Sequence, residues 1–109
     1  MKETIFRNFE DIKPKEILAG FWAQPVHTPG NTINFINVKA GSSFPLHQHM
    51  HHQCAFVLEG EFEMTIDGET QVLMPGKYVV IPGNVPHEGR ALTDCRLLDI
   101  FNPVREDYK

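Results

Sequence analysis

An all-β fold, a sandwich or barrel of the jelly-roll kind, is what this sequence predicts, and three observations carry that expectation. From Thr32 onward, Gly or Pro punctuates the chain every eight to twelve residues, with β-branched or aromatic residues between. Phe62, Met64 and Ile66 alternate with Glu61, Glu63 and Thr65, and Asp67-Gly68 then supplies the positive-φ pair that a tight type I′ hairpin turn requires. Eight or nine short strands and almost no helix account for the 109 residues, which leave room for one compact domain and no second.

The elements follow in order. Phe6, Phe9 and Ile12 form a short helical face stopped by Pro14, and Ile17 to Trp22 reads as a strand with Trp22 in the core. Pro25, Pro29 and Gly30 confine anything else near them to short pieces. Thr32 to Val38 carries apolar side chains on both alternating faces, as a strand covered on two sides does. Glu69 to Leu73 returns from the hairpin, and Pro75-Gly76 turns the chain again. Tyr78 to Ile81 is a short buried strand, followed by a turn at Pro82-Gly83-Asn84. Arg96 to Phe101 makes a last strand, which Pro103 ends because it has no N–H to donate.

Composition excludes several classes of partner. With 14 acidic against 10 basic residues, a net charge of −4 and no basic cluster, the chain lacks the grouped Lys and Arg that nucleic acid needs. The longest apolar run, Cys54 to Leu58, is far shorter than the roughly 20 residues of a bilayer-spanning helix, so no membrane partner is expected. The opening is acidic too early for an export signal, and Cys54 and Cys95 form no C-x-x-C pair. A reduced cytoplasmic protein with both cysteines serving as small hydrophobes is the expectation. A domain of this size has one modest core and gains from dimerisation or a bound metal.

The histidines stand out. Four of six (His47, His49, His51 and His52) lie within one stretch of six residues, and neutral imidazole is the commonest metal ligand. His47, His49, His51 and Gln53 share one face of an extended chain, and parity alone does not choose among them. A straight strand from 47 to 53 spans about 20 Å, too long for both ends to reach one ion through bonds of about 2 Å. If Gln53 joins a site, the chain has to bend near Met50 to His52. His87, held between Pro86 and Glu88 just after a turn, is the remote candidate ligand. His51 and His52 read as solvated loop residues, and the lone His27 as structural or exposed. The acids Glu59, Glu61 and Glu69 look like a solvated hairpin face.

Two segments carry a family resemblance. Residues 41–60 read G-SSFPL-H-Q-H-MHH-Q-CAFVLE-G, which resembles the first cupin motif, and residues 76–87 read G-KYVVI-P-G-N-V-P-H, which resembles the second. Fifteen residues separate the two, the short spacing of small microbial cupins. The sequence departs from the family pattern in three places: Gln53 stands where Glu is usual, Asn84 replaces an inner Gly, and Ala91 replaces a closing Asn. The resemblance implies a cupin double-stranded β-helix, with residues 1–31 as N-terminal strands and arm, 32–101 as the barrel and 102–109 as a tail. It also implies that His47, His49, His87 and Gln53 hold one divalent transition metal ion, with zinc, nickel, iron and manganese all compatible. A neutral amide at 53 leaves the ion its full divalent charge and removes the carboxylate of the triad that suits oxygen-activating iron, so the site leans toward Lewis-acid chemistry.

The segment NVPHEGRALTDCRLLDIFNPVREDYK resembles that of the KdgF-type cupins of pectin and alginate breakdown, whose first motif has the form H-x-H-x-H-x-Q. Their D-x-F-x-x-x-R arrangement falls on Asp99, Phe101 and Arg105, which this resemblance makes the catalytic positions. It implies linearisation of 4,5-unsaturated uronate monosaccharides: the metal polarises ring or anomeric oxygens, Asp99 moves the proton, and Arg105 orients the carboxylate. The residues are apt in themselves. Asp99 lies in a strand apolar on both faces, where burial raises an acid's pKa, and Arg105 follows with a planar fork suited to a carboxylate. Structural readings stand beside these: Asp99 paired with Arg96 or Arg90, Arg105 as a rim charge, and Phe101 as core rather than pocket wall. The rival functions are a small dioxygenase and a non-catalytic sugar-binding cupin. A homodimer is expected, with N-terminal strands covering the partner's sheet edge.

Overall fold

A computed structural model describes residues 5–109; residues 1–4, the start of the expected N-terminal arm, lie outside it. The described chain holds ten strands: β1 (Lys15–Leu18), β2 (Phe21–His27), β3 (Thr32–Val38), β4 (Ser43–His47), β5 (His52–Glu59), β6 (Phe62–Ile66), β7 (Glu69–Leu73), β8 (Tyr78–Ile81), β9 (His87–Ala91) and β10 (Cys95–Asn102). Two antiparallel sheets form, one ordered β1-β2-β3-β10-β5-β8 and the other β4-β9-β6-β7. Their facing sides bury Phe21, Ile36, Val57, Phe62, Leu73 and Ile81 in one apolar core. This is the jelly-roll arrangement that the strand punctuation predicts.

The N-terminal expectations need correction. No strand runs from Ile17 to Trp22, because the chain turns between β1 and β2 at Gly20, whose φ is +83°. Only glycine suits that turn, since a Cβ there would run into Ser42 Oγ. The helical face shrinks to a single 3₁₀ turn at Phe9–Asp11, too short to bury a stripe of side chains. Phe9 still finds a partner, meeting the ring of Phe35 edge-on at 5.1 Å. Trp22 points to the outer face of β2 and is 39% exposed, so it lies outside the core. β1 pairs with β2, and β2 with β3, within the one chain.

β10 is the axis of the larger sheet, paired to β3 on one side and β5 on the other. Its inward residues are Cys95, Leu97, Asp99 and Phe101, while Leu98 and Ile100 face outward half-buried. The Asp67-Gly68 hairpin has both residues at positive φ, 49° and 83°, and pairs Ile66 with Glu69 as expected. Gly60, which joins β5 to β6, has φ +88°, and a Cβ on it would run into the Asp94 carbonyl and come within 2.9 Å of Cys95 Sγ. Gly60→Ala is therefore expected to destabilise the fold by about 2–4 kcal/mol, combining left-handed strain with overpacking. Urea denaturation measures this, and a loss below about 0.5 kcal/mol would contradict the placement of this turn.

Candidate active site

The three remote histidines come together because β4 and β9 are neighbours. His47 and His87 are register partners across that pair, with ring centres 4.4 Å apart. After His47 the chain leaves the smaller sheet, carries His49 in the connection, bends at Met50 and His51, and enters the larger sheet as β5. The ring of His49 lies 5.0 Å from that of His87. One ligand atom from each of His47, His49 and His87 falls within 4.8 Å of the others, a grouping that could hold a metal ion.

Each ring is oriented through Nδ1. That atom donates to the Pro45 carbonyl from His47 at 3.0 Å, to the His51 carbonyl from His49 at 3.0 Å, and to the Val85 carbonyl from His87 at 2.8 Å. Because a carbonyl only accepts, the proton sits on Nδ1 and each neutral ring keeps its Nε2 lone pair. Such backbone bonds are how metal-ligating imidazoles are fixed in tautomer and direction. His87 is 1% exposed, and its Nε2 is buried with no hydrogen-bond partner. Burial lowers the pKa of both His49 and His87, to which the positive charges of Arg105 at His49 and of the neighbouring histidines at His87 add. Both rings are thereby kept neutral and able to ligate.

Gln53 shows the same fit for a cation. Its Oε1 lies 3.2 Å from His49 Nε2, so a carbonyl oxygen and a ring lone pair face each other. Neither has a proton to share, and a metal ion between them satisfies both. The Gln53 side chain also acts on the carboxyl of Asp99, favouring its charged form. Gln53 thus joins the histidine cluster to the buried acid. Asp99 sits on β10 opposite Ala55 of β5, while Phe101 is opposite Gln53. Burial pushes the Asp99 pKa up to about 7, against the opposing pull of the Gln53 hydrogen bond and the Arg105 charge. The structural pairings considered for Asp99 are absent: Arg96 donates to Asn37 and Arg90 to Glu63.

Arg105 closes the site. Its guanidinium lies 4.7 Å from the ring centre of Phe101, and its side chain is only 12% exposed, so it is no rim charge. His47, His49, Gln53, His87, Asp99 and Arg105 line one cavity, with Phe101 as part of its wall. A wider open groove along the edges of β7 and β8 holds no histidine and no cysteine.

The remaining histidines divide differently from the sequence reading. His51 is half-buried rather than solvated, and its Nε2 donates to the Val104 carbonyl at 3.2 Å, tying the histidine loop to the segment after β10. His52 is exposed and opens β5, where its Nδ1 accepts from Gly83 N–H at 3.0 Å. His27 is structural, bonded to Thr32 Oγ1 at 2.9 Å. Cys54 and Cys95 are free thiols, and only Cys95 is fully buried. Tyr108 was not expected here. It lines the same cavity from a second 3₁₀ turn, Glu106–Tyr108, in a stretch that reads in sequence as a plain tail. An aromatic three residues after Arg105 was the available signal.

Residues 34–101 match the family described as "Cupin domain". The chain is a cupin. Among solved structures it is similar to KdgF from Halomonas sp., with a TM-score of 0.88 and 29% identity over 99% of this chain and 100% of that one. The pectin degradation protein KdgF of Dickeya dadantii (strain 3937) is 36% identical over 57% of this cupin and 58% of its own length. The L-ectoine synthase of Streptomyces anulatus is 35% identical over 95% of this cupin and 89% of that protein. The cupin covers well under two thirds of several other curated relatives, and only 15% of the quercetin 2,3-dioxygenase of Bacillus subtilis (strain 168). These relatives are enzymes, so an enzymatic role is the general expectation. No helix among the described residues is long and apolar enough to cross a membrane.

Proposed function

We propose that this cupin linearises a 4,5-unsaturated uronate monosaccharide, with His47, His49, His87 and Gln53 as metal ligands and Asp99, Phe101 and Arg105 as the groups that meet the sugar. The observation that carries the reading is the placement of Gln53 between His49 and Asp99 in the cavity that Arg105 also lines. A divalent transition ion, when bound, supplies Lewis acidity toward sugar oxygens. Asp99, with a pKa of about 7, both accepts and releases a proton near neutrality. It takes the proton of the anomeric hydroxyl as the C1–O5 bond breaks, leaving an aldehyde and an enolate across C4, C5 and O5. Delivery of that proton to C4 gives the keto acid, and no other reactant is consumed. Arg105 holds the carboxylate on C5 by charge-assisted hydrogen bonds, and the Phe101 ring keeps that end of the cavity free of bulk water.

The test is the ultraviolet absorbance of the conjugated acid that lyase digestion of pectate or alginate releases. Metal-loaded protein is expected to accelerate its decay, and no acceleration would overturn the assignment. The breadth of the ectoine synthase match favours one alternative, a synthase of that kind, which formation of L-ectoine by the same sample would identify. Oxygen uptake by iron-loaded protein would point instead to a dioxygenase, against which the neutral Gln53 stands.

The homodimer is proposed with it. Ile5 and Phe6 are 86% and 91% exposed ahead of the first 3₁₀ turn, and a second copy offers them a sheet edge to cover. Light scattering is expected to read twice the chain mass, and a reading of one chain mass would overturn this arrangement.

A further inference from the structure

Arg105 is mounted more firmly than a lone surface arginine. Its Nε donates to Asp107 Oδ1 at 3.0 Å and its Nη2 to Asp107 Oδ2 at 2.8 Å. Its guanidinium carbon lies 4.7 Å from the ring centre of Phe101 and 4.3 Å from that of Tyr108, two rings that meet edge-on with centres 5.8 Å apart. The peptide unit joining Val104 to Arg105 is tied down as well. Arg105 N–H donates to Thr32 Oγ1 at 2.8 Å, and the Val104 carbonyl accepts from His51. Asp107 is the outer member of the pair, 60% exposed against 12% for Arg105.

A guanidinium has two edges that can grip a carboxylate in a fork, the Nε–Nη2 edge and the Nη1–Nη2 edge. Asp107 takes the first from the solvent side. Nη1 stays outside that pairing, on an arginine that lines the histidine cavity. Asp107 therefore does not compete for the edge a bound acid would use. It fixes the plane of the fork in advance, and the Phe101 and Tyr108 rings both pack against the guanidinium. A long arginine side chain loses rotamer freedom when it is fixed, and ordering it before binding removes much of that cost from the binding step.

We propose that Asp107 and Tyr108 are positioning residues that lock Arg105 as a preset clamp for one carboxylate of a small acid held beside the histidine cluster. The substrate class deepens accordingly to a monocarboxylate, and this rests on the uronate reading above. Asp107→Asn and Tyr108→Ala are compared with the wild type on the unsaturated uronate, using the full-length, metal-loaded protein. KM is expected to rise about tenfold in each variant while kcat stays within about threefold, the signature of lost binding rather than lost chemistry. Unchanged KM in both variants, with an active wild type, overturns the clamp. If the wild type leaves the uronate untouched, the functional reading has failed, and the clamp is judged without turnover. The Arg105 Nε–H resonance is then followed by nuclear magnetic resonance as galacturonate is added. A sharp, slowly exchanging signal that shifts with galacturonate in the wild type, and is lost to fast exchange in D107N, supports the clamp. A fast-exchanging signal in the wild type overturns it.

Discussion

His87→Ala is expected to lower bound metal from about one ion per chain to a small fraction, and to slow uronate opening more than a hundredfold. His87 is the ligand that the fold has invested in most. It is buried, its Nδ1 is pinned by Val85, and its Nε2 has no protein partner. An orphaned buried nitrogen costs about 1–3 kcal/mol, which coordination recovers. The same reasoning gives a stability test that needs no activity. Chelation is expected to lower the melting temperature of the wild type and to leave His87→Leu unaffected, because leucine removes both the ligand and the orphaned atom. Elemental analysis of protein purified without a histidine tag reads the metal content. Equal metal in His87→Ala and the wild type would sink the ligand assignment, and an equal response of both proteins to chelator would sink the stability argument.

The barrel was legible because its signals are local. Positive φ at Asp67 and Gly68 and the inward face of β10 both follow from short-range pattern, turn chemistry in the first case and period two in the second. The meeting of His47 with His87 was suggested by residue type and by motif resemblance, since no periodicity relates residues forty positions apart; it depends on β4 pairing with β9. The bend before Gln53 could be argued from reach alone, because a straight strand is longer than a coordination sphere. Three features were out of reach. The turn at Gly20 looks in sequence like an interruption that a strand tolerates, and only contact with Ser42 shows why it is a turn. Trp22 sits outside the core because the register of β2 against β3 turns its face outward, and register is a tertiary fact. His51, Asp107 and Tyr108 acquire roles only when the segment after β10 folds back across the cavity, fastened to Thr32 and to the histidine loop. Propensity says nothing about such a closure.

Asp99→Asn is expected to reduce kcat by about a hundredfold to ten-thousandfold, the usual range for loss of a general acid or base, while metal content stays unchanged. Asparagine keeps the shape and still accepts from the Gln53 amide, so the cavity is preserved and only proton transfer is removed. An unchanged rate would exclude Asp99 from the chemistry. The same substitution makes a distinct claim about stability in the metal-free protein. The Asp99 pKa is about 7 in the fold against an ordinary 3.8, so the folded state holds a proton that the unfolded chain has lost across that interval. Stability attributable to protonated Asp99 is fully present below about pH 4 and is lost as pH rises toward 7, by on the order of 3–4 kcal/mol. Asparagine does not titrate and escapes that loss. Urea midpoints of chelated wild type and Asp99→Asn are therefore expected to lie closest near pH 4 and to diverge by pH 8, with the variant the more stable. A difference that did not grow between those pH values would mean that Asp99 is solvated, or is paired with a cation strongly enough to stay ionised. A carboxylate held that firmly ionised would be too weak a base to take the proton of the anomeric hydroxyl efficiently. The stability profile and the rate of Asp99→Asn therefore stand or fall on one property of the site, the low polarity that β10 imposes on Asp99.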